Sequence, residues 1–102
     1  MYKLIVSELA HQDFDKIISY IAVEPVNQVA AGSFIDEVDQ CYGYLITNPW
    51  MYEKCQDKRL EKEGYHKALI KNYLLVYKID EDYKTVSILR FFYGRQDYIK
   101  LI

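Results

Sequence analysis

The sequence predicts an α+β fold: a strand and two helices, then an antiparallel sheet of three to four strands with both helices packed on one face. Three observations carry that expectation. Apolar residues recur at helical spacing through two segments of the first half. The second half changes to short runs rich in β-branched and aromatic residues. Those runs are joined by few residues with turn chemistry, and strands joined so tightly pair antiparallel.

Tyr2 to Val6 is β-rich and reads as the first strand, and Ser7 after it suits a helix N-cap. Ala10, Phe14, Ile17 and Ile21 then mark one face of an amphipathic helix. Glu8, Asp13 and Asp15 lie near its start, where the helix dipole favours acids. Pro25 ends this helix or opens the next. A second helix is expected from about Val26 to Ile46 on the stripe Phe34, Val38, Cys41 and Leu45, with Asn48-Pro49 as its stop. Trp50 to Asp57 has no clear period and reads as a loop, with Trp50 capping the core. Lys58 to Lys62 alternates weakly, as a strand does, and Glu63-Gly64 is a turn. Tyr65 to Lys71 and Tyr73 to Ile79 are strands, with Tyr73 and Tyr77 on one face of the second. Asp80 to Lys84 is a charged turn. Thr85 to Tyr93 is so nearly continuous in apolar residues that it suits a central strand covered on both faces. Gly94 breaks it, and Arg95 to Ile102 forms a tail. No repeat or linker divides residues 1–102, which read as a single domain.

A net charge of −2 argues against a general nucleic-acid binder, but the charge is unevenly placed. Two basic and eight acidic side chains give −6 over residues 1–53. Seven basic and three acidic ones give +4 over residues 54–78. That basic stretch suits a phosphate backbone, an acidic protein partner or a plain solvated face. Cys41 and Cys55 are too few and too far apart for a disulfide framework or a zinc site. Cys41 reads as a small core residue. There is no Gly-rich phosphate loop and no His/Cys/carboxylate set at metal spacing, so no metal and no cofactor are expected. With no signal-peptide pattern and no long apolar run, the expected location is cytoplasmic, away from the membrane and with reduced thiols.

Several segments together resemble the RelE/ParE toxin superfamily of type II toxin–antitoxin systems, and its ParE-like (plasmid stabilisation) branch in particular. They are Tyr20-Ile21-Ala22 with Pro25 after it, Ala31 to Phe34 closing on Leu45 and Asn48-Pro49, and Arg59-Leu60. The more specific pair is Asn72 to Asp80 and the run Ile88-Leu89-Arg90-Phe91-Phe92-Tyr93-Gly94-Arg95-Gln96-Asp97-Tyr98. The resemblance spans essentially the whole chain. It implies a growth-inhibiting toxin neutralised by a cognate antitoxin. It leaves the target open, because ParE-like members inhibit DNA gyrase whereas RelE-like members cut mRNA on the ribosome.

Metal-free RNA cleavage needs a base for the ribose 2′-hydroxyl, cations for the phosphorane charge and an acid for the leaving oxygen. For that chemistry the resemblance offers Arg95, Arg59 and Tyr98, with His66 as a possible base. Leu74 stands where the RNA-cleaving branch carries arginine, and Gln96 where many relatives carry a second one. These departures favour a ParE-like binder over an endonuclease. A degenerate toxin that only binds its antitoxin is a third reading. The partner-facing residues are expected to be Lys58, Arg59, Lys62, Lys67, Arg90 and Arg95. Arg90, inside an apolar strand, reads equally as a structural residue that must be paired.

Overall fold

A computed structural model describes residues 1–23, 28–94 and 98–101. Strand β1 (Lys3–Val6) leads into helix α1 (Glu8–Ile21) through Ser7, which does two jobs at once. Its Oγ accepts the Ala10 N–H at 3.0 Å as an N-cap and donates to the Leu89 carbonyl at 2.8 Å. The start of α1 is therefore tied directly to the sheet. Helix α2 (Gln28–Thr47) buries Ala31, Phe34, Val38, Cys41 and Leu45, the stripe that the spacing predicts with one further turn. Pro25 and Val26, at the expected boundary of the two helices, lie outside the described residues.

After α2 comes a 3-10 turn, Pro49–Met51, and then a short helix α3 (Lys58–Lys62). This corrects the strand expected at Lys58 to Lys62. The Asp57 side chain accepts the Leu60 N–H at 3.1 Å, so it caps a helical turn that buries Leu60. Strands β2 (Tyr65–Ile70), β3 (Tyr73–Asp80) and β4 (Thr85–Tyr93) follow, and a terminal turn of helix α4 (Tyr98–Leu101) ends the described chain. At the β4 end, Gly94 donates its N–H to the Asn72 carbonyl at 2.7 Å. A Cβ there would meet that carbonyl oxygen at 3.0 Å, which is why the strand ends on glycine.

The sheet order is β1-β4-β3-β2. The β2–β3 and β3–β4 pairs are antiparallel, as expected of strands joined by short turns, whereas β1 joins β4 in parallel and makes the sheet mixed. Register shifts once, between Val76 and Tyr77, which pair with Arg90 and Ile88 and leave Leu89 as an extra residue in β4. The bulge resets which β4 side chains point inward. Val86 and Ile88 before it, and Phe91 after it, all join the helix-side core with Leu75, Tyr77, Ile79 and Ala68. On the other face Val76, Phe92, Leu60, Cys55 and Tyr98 form a second, smaller cluster. The apolar run of β4 thus serves two cores.

Candidate functional surface

The face of the sheet turned away from α1 and α2 carries Tyr65, Lys67 and Leu69 from β2, Leu74, Val76 and Lys78 from β3, and Arg90 and Phe92 from β4. Helices α3 and α4 cover its middle through Leu60 and Tyr98. Its three cations each rest on an aromatic ring. Lys67 Nζ lies 5.7 Å from the Tyr98 centroid, Lys78 Nζ 5.5 Å from that of Tyr65, and the Arg90 guanidinium 5.0 Å from that of Phe92. Such contacts hold a cation in one place on the surface and leave part of it open to an anion. Lys67 is also 3.6 Å from Glu53.

Arg90 has a stronger partner. β1 makes its last pair with β4 at Val6 and Ile88, and beyond that point no strand among the described residues lies beside the β4 edge. Asp13 of α1 fills the place. Its carboxylate accepts the Phe91 N–H at 3.1 Å, Arg90 Nε at 2.7 Å and Arg90 Nη2 at 3.0 Å. Hydrogen bonding to that carboxylate raises the Arg90 pKa. The residue is therefore structural at its base, with its side chain still part-exposed toward the outer face. Asp13, read from the sequence as a dipole-stabilising acid near the helix start, is in fact the clamp that orients Arg90.

Of the described catalytic candidates, His66 lies on the opposite face of the sheet from Tyr98 and the α3 residue Arg59. His66 is 2% exposed and lies on the helix side, its ring stacked on Tyr77 and in an edge-to-face contact with Trp50. Burial lowers its pKa, partly opposed by the hydrogen bond to the Gly64 carbonyl. Tyr98 lies across the sheet in the outer cluster, where burial pushes its pKa up to about 12 and its hydroxyl meets the Cys55 thiol. Arg59, with Lys58 and Lys62, is exposed on α3, next to Leu60 of that same cluster. Lys67 and Tyr98 are brought together; His66 is separated from them by the thickness of the sheet. Arg95, with Gln96 and Asp97, lies outside the described residues. Leu74 is half-buried against the outer cluster. Trp50 is half-exposed; it leans on His66 and donates to Glu81 at 3.1 Å.

A second surface lies where the end of α1 meets the β2–β3 turn, and residue spacing alone did not single it out. Three cavities adjoin there, of about 340, 480 and 280 Å³. Tyr20 and Tyr73 are shared by the first two, Lys71 and Asn72 by the second and third, and Tyr93 by the first and third. Tyr20 is 76% exposed and Val23 73%. Among the described residues no group of His, Cys, Asp or Glu is placed to hold a metal ion, and no helix is long and apolar enough to cross a membrane.

Comparison with known proteins places this architecture. The family model described as the ParE toxin of the type II toxin–antitoxin system parDE matches residues 4–98. No curated protein sequence matches significantly. Among solved structures, the chromosomal ParDE system of Pseudomonas aeruginosa is similar with a TM-score of 0.69 at 15% identity, over 91% of this chain and 96% of that one. The isolated RelE toxin of Escherichia coli gives a TM-score of 0.64 at 13% identity, over 99% of this chain and 93% of that one. A chain of the RelBE2 toxin–antitoxin complex of Mycobacterium tuberculosis gives 0.57 at 24% identity, over 90% and 96%. At these identities the likeness is one of fold.

Proposed function

The chain belongs to the ParE toxin family of type II toxin–antitoxin systems, and from that premise we propose that it is a growth inhibitor of the ParE kind, acting by binding a gyrase-type target and not by catalysis. It works in the cytoplasm and is held inactive by a cognate antitoxin, the kind of complex in which several chains of this fold have been solved. The observation that carries the non-catalytic reading is the division of the titratable residues across the sheet. The one buried histidine, His66, faces the helices, while Tyr98 and Lys67 lie on the other side. A general base must reach the proton it removes within hydrogen-bond distance or through one water. His66, buried on the helix side, is out of reach of a substrate held against Tyr98 on the outer face. Leu74 adds an aliphatic side chain where phosphate charge would need a donor. Lys67, Lys78 and Arg90 on their rings, together with Arg95 and the α3 cations Lys58, Arg59 and Lys62, supply the target-facing charge.

Induction of the chain alone should arrest bacterial growth, and co-expression of its antitoxin should relieve the arrest. In vitro, the purified chain should inhibit supercoiling by gyrase and leave mRNA on translating ribosomes uncut. Codon-specific cuts in ribosome-bound mRNA with supercoiling unaffected would replace this reading by the endonuclease one. Normal growth at high soluble expression would leave only an antitoxin-binding, inactive toxin.

A further inference from the structure

We infer that the tyrosine-walled groove between the end of α1 and the β2–β3 turn is a small-molecule site for a nucleoside phosphate, its base against the phenol rings and its phosphate at the turn. The proposal goes beyond the toxin reading and stands or falls without it. Two of the three adjoining cavities, of about 340 and 480 Å³, share Tyr20 and Tyr73, so one ligand can span both. Their size, and walls that are mostly apolar and aromatic with a few polar groups, are those of small-molecule sites. Tyr73 is held firmly: its ring packs edge-on to Phe34 at 5.3 Å and to Tyr93 at 5.9 Å. Tyr20 reaches the same cavity from α1 and is 76% exposed, so its ring can settle on a flat ligand. Every nucleobase has a π-face that stacks on such rings.

Charge decides which flat ligand fits. Lys16 lies on the wall of the first cavity, and Lys71 on the walls of the second and third. Among the described lining residues there is no carboxylate, in a chain that carries fifteen acidic side chains. Three phenol rings would also suit an organic cation, but two lysines with no acid beside them select an anion. Lys71 reaches Glu37 at 3.8 Å, yet both are well exposed, and a pair of that kind yields readily to a phosphate. Asn72 lines the same two cavities as Lys71, and its amide can both donate to and accept from a ribose or a base edge. Burial raises the Tyr73 pKa, and the nearby Tyr20 and Tyr93 hydroxyls add to the rise, so this phenol stays an uncharged donor beside the anion. The net charge of −2 disfavours a long polyanion, which favours a single nucleotide over a nucleic-acid strand.

The test is calorimetric titration of the whole chain with ATP and with GTP, in the absence of added metal. At least one should bind saturably, its nucleoside more weakly, and tripolyphosphate hardly at all. Tyr20→Ala should weaken nucleotide binding about 10-fold, as expected when one stacking ring is removed. Tyr20→Phe keeps the ring and should keep the affinity. Lys71→Ala should weaken the nucleotide about 5-fold and leave the nucleoside unchanged, because it removes an exposed charge that faces phosphate. Tyr83→Ala, at the exposed β3–β4 turn, should change nothing. Tyr20 is mostly exposed, so its variants should melt with the parent, and the melting curve checks that the fold is kept. No saturation by either nucleotide up to about 5 mM overturns the site. Saturable binding that ignores Tyr20→Ala overturns the groove as its location. Tripolyphosphate binding as tightly as the nucleotide overturns the base pocket and leaves a cationic patch. A short single-stranded oligonucleotide binding at least about 10-fold tighter than either nucleotide overturns the free ligand in favour of a strand.

Discussion

The two faces of the sheet are built from the same strands and are held in different ways. On the helix side, α1 and α2 lay fourteen and twenty residues over the strands and seal a continuous core from Ala10 to Phe91. On the outer side, two short helices of five and four residues contribute Leu60 and Tyr98, and three cations finish the cover by lying on rings. The first face is where the stability resides. The second is thinly covered, so its charged groups stay accessible while their positions are fixed. A protein that acts by touching a partner needs one face of each kind.

The contrast is most easily broken from the helix side. Phe34 is fully buried at the centre of the aromatic contacts, and Phe34→Ala should cost about 3–5 kcal/mol of stability. Leu60, the main apolar contact of α3, is also fully buried, but its neighbours sit on a short surface helix that can settle inward. Leu60→Ala should therefore fall at the low end of the range for such changes, about 2–3 kcal/mol. Denaturant unfolding of both variants checks the order. Equal losses would mean that the outer cover is as rigid as the helix-side core.

Asp13 joins the two faces. Asp13→Ala leaves the Phe91 N–H without its acceptor and Arg90 without its carboxylate at a part-buried site. The expected loss is about 1.5–3 kcal/mol, smaller than for an enclosed ion pair because Arg90 can still turn to water. Asp13→Asn keeps an acceptor for the N–H and should recover part of it. Hydrogen exchange at the Phe91 amide separates the two roles: it should quicken in the alanine variant and much less in the asparagine one. Unchanged exchange in Asp13→Ala would show that the β4 edge does not depend on the carboxylate.

Much of this arrangement was legible in the sequence, and the parts that were not share a cause. The stripes of both long helices and the three closely joined strands follow from periodicity, because their apolar residues answer to one local environment. The Leu89 bulge and the parallel β1 are set by which distant strand lies alongside, and single-sequence spacing carries no such information. Helix α3 spans little more than one turn, too short for a period to show; its signal was Asp57, a capping residue three positions before the buried Leu60. The inward position of His66 was available from the alternation with Ala68 and Ile70, which share its face, but a histidine is ordinarily read as polar surface. The tyrosine groove joins residues from α1, the β2–β3 turn and the end of β4, so only the assembled fold reveals it.

His66 gives a pH test of the same contrast. Its buried position lowers its pKa from an ordinary value near 6.5, so the folded chain holds it neutral while the unfolded chain protonates it. Its contribution is complete above that ordinary value and is lost as pH falls toward the lowered one. Stability should therefore decline below about pH 6.5, and His66→Gln should flatten that part of the profile. Lys54 nearby works in the same direction, since its charge also disfavours the protonated ring. An identical acid slope in the glutamine variant would assign the decline to carboxylates elsewhere.

The smallest stability effect should come from the outer cations, and there the two faces differ most in what they are for. Lys78 lies over Tyr65 with its amine largely in water, and contacts of that kind are worth about 0.5–1 kcal/mol. Lys78→Ala should lower stability by no more than that. Replacing Lys58, Arg59 and Lys62 by Glu should shift it by about 0.5 kcal/mol per site or less, because all three side chains are exposed on α3. Both sets should nevertheless reduce growth arrest, and the α3 reversals should slow association with an acidic partner most at low salt. The lever is the ratio of functional loss to stability loss: high for outer cations, and low for Phe34→Ala, which abolishes activity by unfolding the chain. If the α3 reversals leave both growth arrest and association rates unchanged, Lys58, Arg59 and Lys62 form a solvated face, and the target-facing charge must be sought at Lys67, Lys78, Arg90 and Arg95.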